Sequence, residues 1–167
     1  MGLITQQQID EFNKVCEANK KKWPKGPWTN EPNRVEWEHS GFRCLALRQP
    51  NSGHWCGYVG LKPGHKYYGI PDSVSHYDED GNEIENQPTC AYDLPFGHGG
   101  VTYGRFCEGN VCHISEGEKL FWLGFDCAHA YDFQPADHDW MNSESNIYRD
   151  IEYVKNRVNV MAEELKE

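Results

Sequence analysis

The stretch KLFWLGFDC, Lys119 to Cys127, decides the fold of this chain. Leu120, Phe121, Trp122, Leu123 and Phe125 are apolar at consecutive positions rather than alternating ones. Successive side chains of a strand point to opposite faces, so such a run needs cover on both sides. The segment therefore reads as the central strand of a sheet, and other elements must supply its neighbours and its two coats.

Working outward, three strand-like segments lie upstream: Val35–His39, Phe42–Gln49 and His54–Leu61. Ser40-Gly41 and Pro50-Asn51-Ser52-Gly53 separate them as turns, which gives an antiparallel meander. Val101–Cys107 and Val111–Ile114 add strand character closer to the central run, followed by a turn at Ser115-Glu116-Gly117. Two helices bracket the sheet. Thr5 and Gln8 form a capping box for a helix over Thr5–Lys21, with Ile9, Phe12, Val15 and Cys16 on one face. Lys20, Lys21 and Lys22 fall at its C-terminal end, where the helix dipole favours cations. At the other end of the chain, Ile151, Val154, Val158, Met161 and Leu165 form an apolar seam on a helix predicted from Ile147 to Leu165. The expected architecture is α+β: a single domain over 1–167, mainly antiparallel sheet, with an N-terminal and a C-terminal helix packed on it. The seam's second use is a dimer contact, for which it is short.

Residues 62–98 interrupt this pattern. Pro63-Gly64, Gly69, Pro71, Asp80-Gly81, Pro88, Pro95 and Gly97 break it repeatedly, and Asp72 to Asp93 is acidic without a lysine or arginine. A small hairpin of Val74–Tyr77 and Glu83–Ile84 around Asp80-Gly81 is expected inside a long acidic loop. His129–Asn146 also reads as loop.

Composition narrows the function classes. The formal net charge of −10 argues against binding to nucleic acid, sequence-specific or otherwise, which draws on a lysine and arginine surface. No apolar run approaches membrane-spanning length, and MGLITQQQID lacks the pattern of a secretory signal. The chain is expected in the cytoplasm, with its seven cysteines as reduced thiols.

Five constellations carry potential chemistry. At the end of the central strand stand Asp126, Cys127, His129 and Asp132. Polar groups at the end of a covered strand are held rigidly yet reach the surface. His98-Gly99-Gly100 supplies a histidine beside two glycines, whose amides can approach a ligand. His98 and His129 are the acid/base candidates, with Asp126 as orienter and His98 as its expected partner. Gly99, Gly100 and Tyr103 are expected to line the ligand site, and Lys62, His65 and Arg105 to supply positive charge for phosphate. A weaker metal alternative uses His98, Asp126, His129 and Asp132. Cys107, Cys112 and His113 lack the close cysteine pairs of a zinc site. Asp78, Asp80 and Glu83 fail an EF-hand frame, because His76 and Gln87 would occupy its first and twelfth positions. Cys56-Gly57-Tyr58-Val59-Gly60 with His65 and Tyr67-Tyr68 could stack a planar ligand.

Four motifs taken together, CGYVGLKPGHKYYG (56–69), HGGVTYG (98–104), LGFDCAHAYD (123–132) and YRDIEYVKNRV (148–158), carry a resemblance. The chain resembles a family of small proteins encoded by bacteriophages and by bacterial genomes, over roughly residues 28–165. The resemblance carries over no functional residue. It implies a setting, that of phage accessory proteins that counter host defence, and hence the host cytoplasm. The expected function is binding or degradation of a small nucleotide-like ligand by such a protein. The alternatives are an inhibitor that engages a host defence protein through its acidic surface, and a metal-dependent hydrolase.

Overall fold

The structure is a computed structural model that describes residues 3–85, 87–114, 117, 119–136 and 144–166. Helix α1 (Gln6–Lys20) begins where the capping box places it. The Gln8 amide donates to Thr5 Oγ1 at 3.2 Å, and the Thr5 amide donates to Gln8 Oε1 at 2.9 Å. Strands β1 (Arg34–His39), β2 (Phe42–Arg48) and β3 (Trp55–Leu61) form the expected meander. Ser40 (φ 53°) and Gly41 (φ 84°) make the two-residue turn of the first hairpin, in which both central residues need positive φ.

Strand β5 (Phe121–Asp126) lies between β3 and β4 (Tyr103–Phe106), in an all-antiparallel sheet ordered β1-β2-β3-β5-β4. The consecutive apolar run is accounted for by two different coats. Phe121, Leu123 and Phe125 pack with Val59, Leu61 and helix α2 (Ile151–Leu165), whose seam residues Val154, Val158, Met161 and Leu165 are buried. Trp122 and Leu120 pack with Phe12 and Cys16 of α1, together with Leu45, Leu47 and Tyr58.

Several expectations shift. Helix α2 starts at Ile151 rather than Ile147, because Ile147 pairs with Asp132 in an isolated parallel bridge and Asp150 caps the helix. The hairpin around Asp80-Gly81 reduces to one bridge, Tyr77 to Glu83, and Val111–Ile114 forms only bridges from Val111 to Glu108 and from His113 to Leu3. Cys107 and Cys112 are joined in a disulfide across this turn, which corrects the expectation that every thiol is free and removes this pair from any zinc site. Cys16, Cys44, Cys90 and Cys127 are buried free thiols. The turn residues Ser115 and Glu116, and residues 137–143 of the loop after His129, lie outside the described residues. Among the described residues, no helix is long and apolar enough to cross a membrane.

A buried ion pair knits the ends of these elements together. Arg48 donates through Nε to Asn33 Oδ1 (3.0 Å), through Nη1 to the Gly53 carbonyl (2.7 Å) and Tyr148 Oη (3.0 Å), and through Nη2 to Glu31 Oε1 (3.1 Å) and the Pro32 carbonyl (3.1 Å). Glu31 accepts in addition from Trp55 Nε1, from the Tyr148 hydroxyl and, through Oε2 at 2.9 Å, from the Ile151 amide at the first turn of α2. Removing one member of such a buried pair strands the other, at a typical cost of about 3–5 kcal/mol. Arg48→Met should therefore lower the unfolding free energy by that amount in urea titrations, with part of the loss restored in the Arg48→Met/Glu31→Gln double variant. A loss under about 1 kcal/mol would show that the pair is dispensable.

Candidate functional site

Three segments meet at one end of the sheet: the turn after β5, the glycine-rich bend before β4 and the start of α2. Asp132 lies at their junction, with its side chain 1% exposed. Its Oδ2 accepts from His98 Nε2 (2.8 Å) and from the His129 amide (3.0 Å), and its Oδ1 accepts from Arg149 Nε (2.8 Å). The second ring nitrogen of His98, Nδ1, lies 2.6 Å from the Tyr153 hydroxyl. Because ionised Asp132 offers only acceptors, Nε2 of neutral His98 carries the proton and Nδ1 accepts from Tyr153.

Local sequence builds this arrangement. Tyr131 adopts φ 72°, in the left-handed region, and folds residues 129–132 back so that the Asp132 amide donates to the His129 carbonyl at 3.0 Å. Such a conformation in a non-glycine residue is held only by its surroundings. Here the surroundings are the hydrogen bonds of Phe133 and Ile147 across the bridge, at 2.8 and 2.7 Å. The same bridge delivers Arg149 to Asp132. On the other side, Arg157 of α2 grips the Gly97 carbonyl through Nε (3.0 Å) and Nη2 (2.6 Å) and so fixes the bend that carries His98. Gly99 (φ 75°) lies against the His129 ring, and a Cβ there would come within 2.7 Å of Nε2.

The expected pairing of His98 with Asp126 is not what the structure shows. Asp126 accepts from Thr102 Oγ1 and from the Ala128 amide, both at 3.0 Å, and its Oδ1 lies 3.6 Å from His129 Nε2. It thus caps a turn and accompanies the second histidine, while Asp132 orients the first. The two imidazoles are neighbours, with centroids 5.6 Å apart and planes tilted by 52°. Cys127 is buried, and burial pushes its thiol well above the ordinary range, which suits a small core residue rather than a nucleophile.

Of the expected ligand residues, Gly99 and Gly100 adjoin His98, and their amides donate to nothing among the described residues. Tyr103 stands opposite Gly124 and packs edge-on against Tyr58, with its hydroxyl pKa pushed up to about 12 mainly by burial. Lys62 and His65 follow the far end of β3, about 17 Å along the strand from the Asp126 end. Lys62 borders a separate cavity of about 500 Å³ with Glu38, Arg43 and His113, and His65 bonds the Leu165 carbonyl. Arg105 borders another cavity, of about 490 Å³, where it pairs with Glu108 and Asp72. The cation at the histidine cluster is instead Arg149, whose terminal nitrogens have no partner among the described residues. No group of three metal-ligating side chains forms among the described residues, and both nitrogens of His98 are already engaged.

Tyr153 and Arg149 were missed from sequence. One signal was available: Arg149 directly precedes the Asp150 cap of α2, where the helix dipole disfavours a cation, so it needs a carboxylate partner. No protein-family model matches the chain, and no similar curated protein or solved structure is found.

Burial pushes the Asp132 carboxyl up, but the hydrogen bonds from Arg149, His98 and the His129 amide outweigh it and hold the group below its ordinary pKa of 3.8. A carboxylate with a depressed folded pKa stabilises the fold fully above its unfolded value and loses that contribution as pH falls through the folded value. Asp132→Asn should cost about 1.5–3 kcal/mol at pH 7, and the gap to the wild type should narrow below pH 3.8. Parallel unfolding curves from pH 7 to pH 2.5 measure this; a gap that does not vary with pH would mean that the carboxylate's charge is immaterial.

Proposed function

We propose that the chain binds and breaks down a small phosphate-bearing, nucleotide-like ligand at the His98–Asp132–Arg149 cluster. The observation that carries this reading is the buried Asp132 carboxylate, which orients His98 at 2.8 Å and holds Arg149 at 2.8 Å beside it. A histidine fixed by a carboxylate suits proton transfer. A guanidinium whose terminal nitrogens have no partner among the described residues suits a phosphoryl oxygen, as do the Gly99 and Gly100 amides, which donate to nothing among those residues. Within the cluster His98 is the acid/base group, and His129, 5.6 Å away, is the second one. Asp132 and Asp126 are their respective carboxylates. Tyr131, 66% exposed next to the cluster, offers a surface on which a base could stack. The resemblance to phage-encoded proteins supports a setting for this activity: an accessory protein that removes a nucleotide signal of the host.

A second reading has its own observation. Asp78, Glu79, Asp80 and Glu83 form an exposed acidic turn flanked by exposed Tyr77 and Ile84, a composition suited to a basic protein surface. The two readings part on mutation. Calorimetry and product analysis against cyclic and linear nucleotides should give binding and turnover, with kcat falling at least about 10²-fold in His98→Ala. Neutralising the four acids should leave turnover intact. A panel with neither binding nor turnover removes the ligand reading and leaves the acidic turn.

A further inference from the structure

Resting on the reading of a phosphate ester as substrate, we infer that Tyr153 is the nucleophile of this site and forms a phosphotyrosyl intermediate. His98 has no nitrogen left for a substrate: Nε2 is on Asp132 and Nδ1 is on Tyr153 Oη, at 2.8 and 2.6 Å. The group on which the imidazole can act is therefore the phenol. The order carboxylate, imidazole, hydroxyl is that of an activated nucleophile, with the base oriented by a third group. The tautomer set by Asp132 also points the Tyr153 proton toward His98, the direction needed for its removal.

The surroundings of the ring fit a developing phenolate. The Arg149 guanidinium lies over the Tyr153 ring, 5.1 Å from its centroid, and the His98 ring meets it edge-on at 5.4 Å and 86°. Tyr153 is in the first turn of α2, where its amide donates to the capping carboxylate of Asp150 at 2.8 Å, so its backbone is fixed. The same helix turn is anchored from below by Glu31 through the Ile151 amide.

The chemistry closes on these groups. Tyr153 Oη attacks phosphorus as its proton passes to His98 Nδ1, and Asp132 stabilises the imidazolium. The bond from phosphorus to the leaving oxygen breaks, and that oxygen takes a proton from His129, which enters the step protonated. In the second half, neutral His129 removes a proton from the water that attacks phosphorus. The phosphorus–Tyr153 bond then breaks, and the phenolate recovers its proton from His98. One water is consumed, one ester is hydrolysed, no electrons are transferred, and both histidines return to their starting states.

The alternative is that Tyr153 merely pins α2 to the bend that carries His98. The full chain is mixed with bis(4-nitrophenyl) phosphate in a stopped-flow instrument, quenched in acid and digested for mass spectrometry. A 4-nitrophenolate burst stoichiometric with protein is expected, together with a 4-nitrophenylphosphoryl adduct on the Tyr153 peptide. Tyr153→Phe, which keeps the ring, should lose at least about 10³-fold in turnover with an unchanged circular-dichroism spectrum. Turnover by wild type without an adduct, or retained within tenfold in Tyr153→Phe, overturns the nucleophile and leaves the hydrolysis reading standing. Absence of turnover with this diester and with every nucleotide overturns both.

Discussion

The buried cation Arg48 sets the geometry from which the rest follows. Its side chain is fully buried at the end of β2, and its five N–H groups reach Asn33, Gly53, Tyr148, Glu31 and the Pro32 carbonyl. A guanidinium withdrawn from water is costly unless its donors are met and its charge is balanced, so these segments hold one relative position or leave a charge stranded. Glu31 supplies the balance and extends the constraint. It spends its remaining acceptor capacity on Trp55, Tyr148 and the Ile151 amide, where the positive end of the α2 dipole favours a carboxylate. The start of α2 is thereby fixed to the end of the meander, and Tyr148, Arg149 and Tyr153 are fixed with it. Trp28 reinforces the join by stacking on Phe133 and meeting Tyr148 edge-on, so the chain on both sides of the bridge at Asp132 rests on one aromatic plate.

The sheet order does the complementary work. Placing β5 between β3 and β4 puts the exit of the central strand beside the entry of the edge strand, so the turn after Asp126 and the bend before Tyr103 face each other. The Thr102 amide donates to the Gly124 carbonyl at 2.9 Å and closes that approach. Histidines 31 positions apart in the chain, His98 and His129, become neighbours because the register of two strands leaves them no other place.

What was legible in the sequence divides along the range of the interactions. The central strand could be read from Leu120–Phe125 because two-sided burial leaves its mark in consecutive residues, and α1 from Thr5 and Gln8 because a capping box is local. The start of α2 was misplaced because the tertiary bridge between Ile147 and Asp132 takes residues that helical periodicity alone would enrol. At the site, His98, His129 and Asp126 were expected at one place and share one end of the sheet, yet His98 is bound to Asp132. Asp126 and Asp132 both lie within a short turn of the strand, and the choice between them depends on the positive φ of Tyr131, which no spacing rule foretells. The Cys107–Cys112 pair was equally undecidable, since the spacing admits a disulfide, a metal site or two free thiols.

Two polar networks in the same molecule now invite comparison, because they are built from the same residue types and end differently. Around Arg48 and Glu31 the bookkeeping of donors and acceptors is complete: each guanidinium hydrogen has an acceptor, each carboxylate oxygen has a donor, and no valence faces outward. Such a closed network holds elements in place and can do nothing further. Around Asp132 the carboxylate is equally saturated, but its partners are not. Among the described residues, Arg149 hydrogen-bonds through Nε alone and the Gly99 and Gly100 amides donate to nothing, while His129 Nε2 lies 3.6 Å from Asp126 without a hydrogen bond. The Arg149 terminal nitrogens and the Gly99 and Gly100 amides are donors, as an anionic oxygen would require, and they lie beside the aligned pair of His98 and Tyr153. The open network draws its rigidity from the closed one through the first turn of α2, which is how a small domain keeps unsatisfied groups in a fixed arrangement.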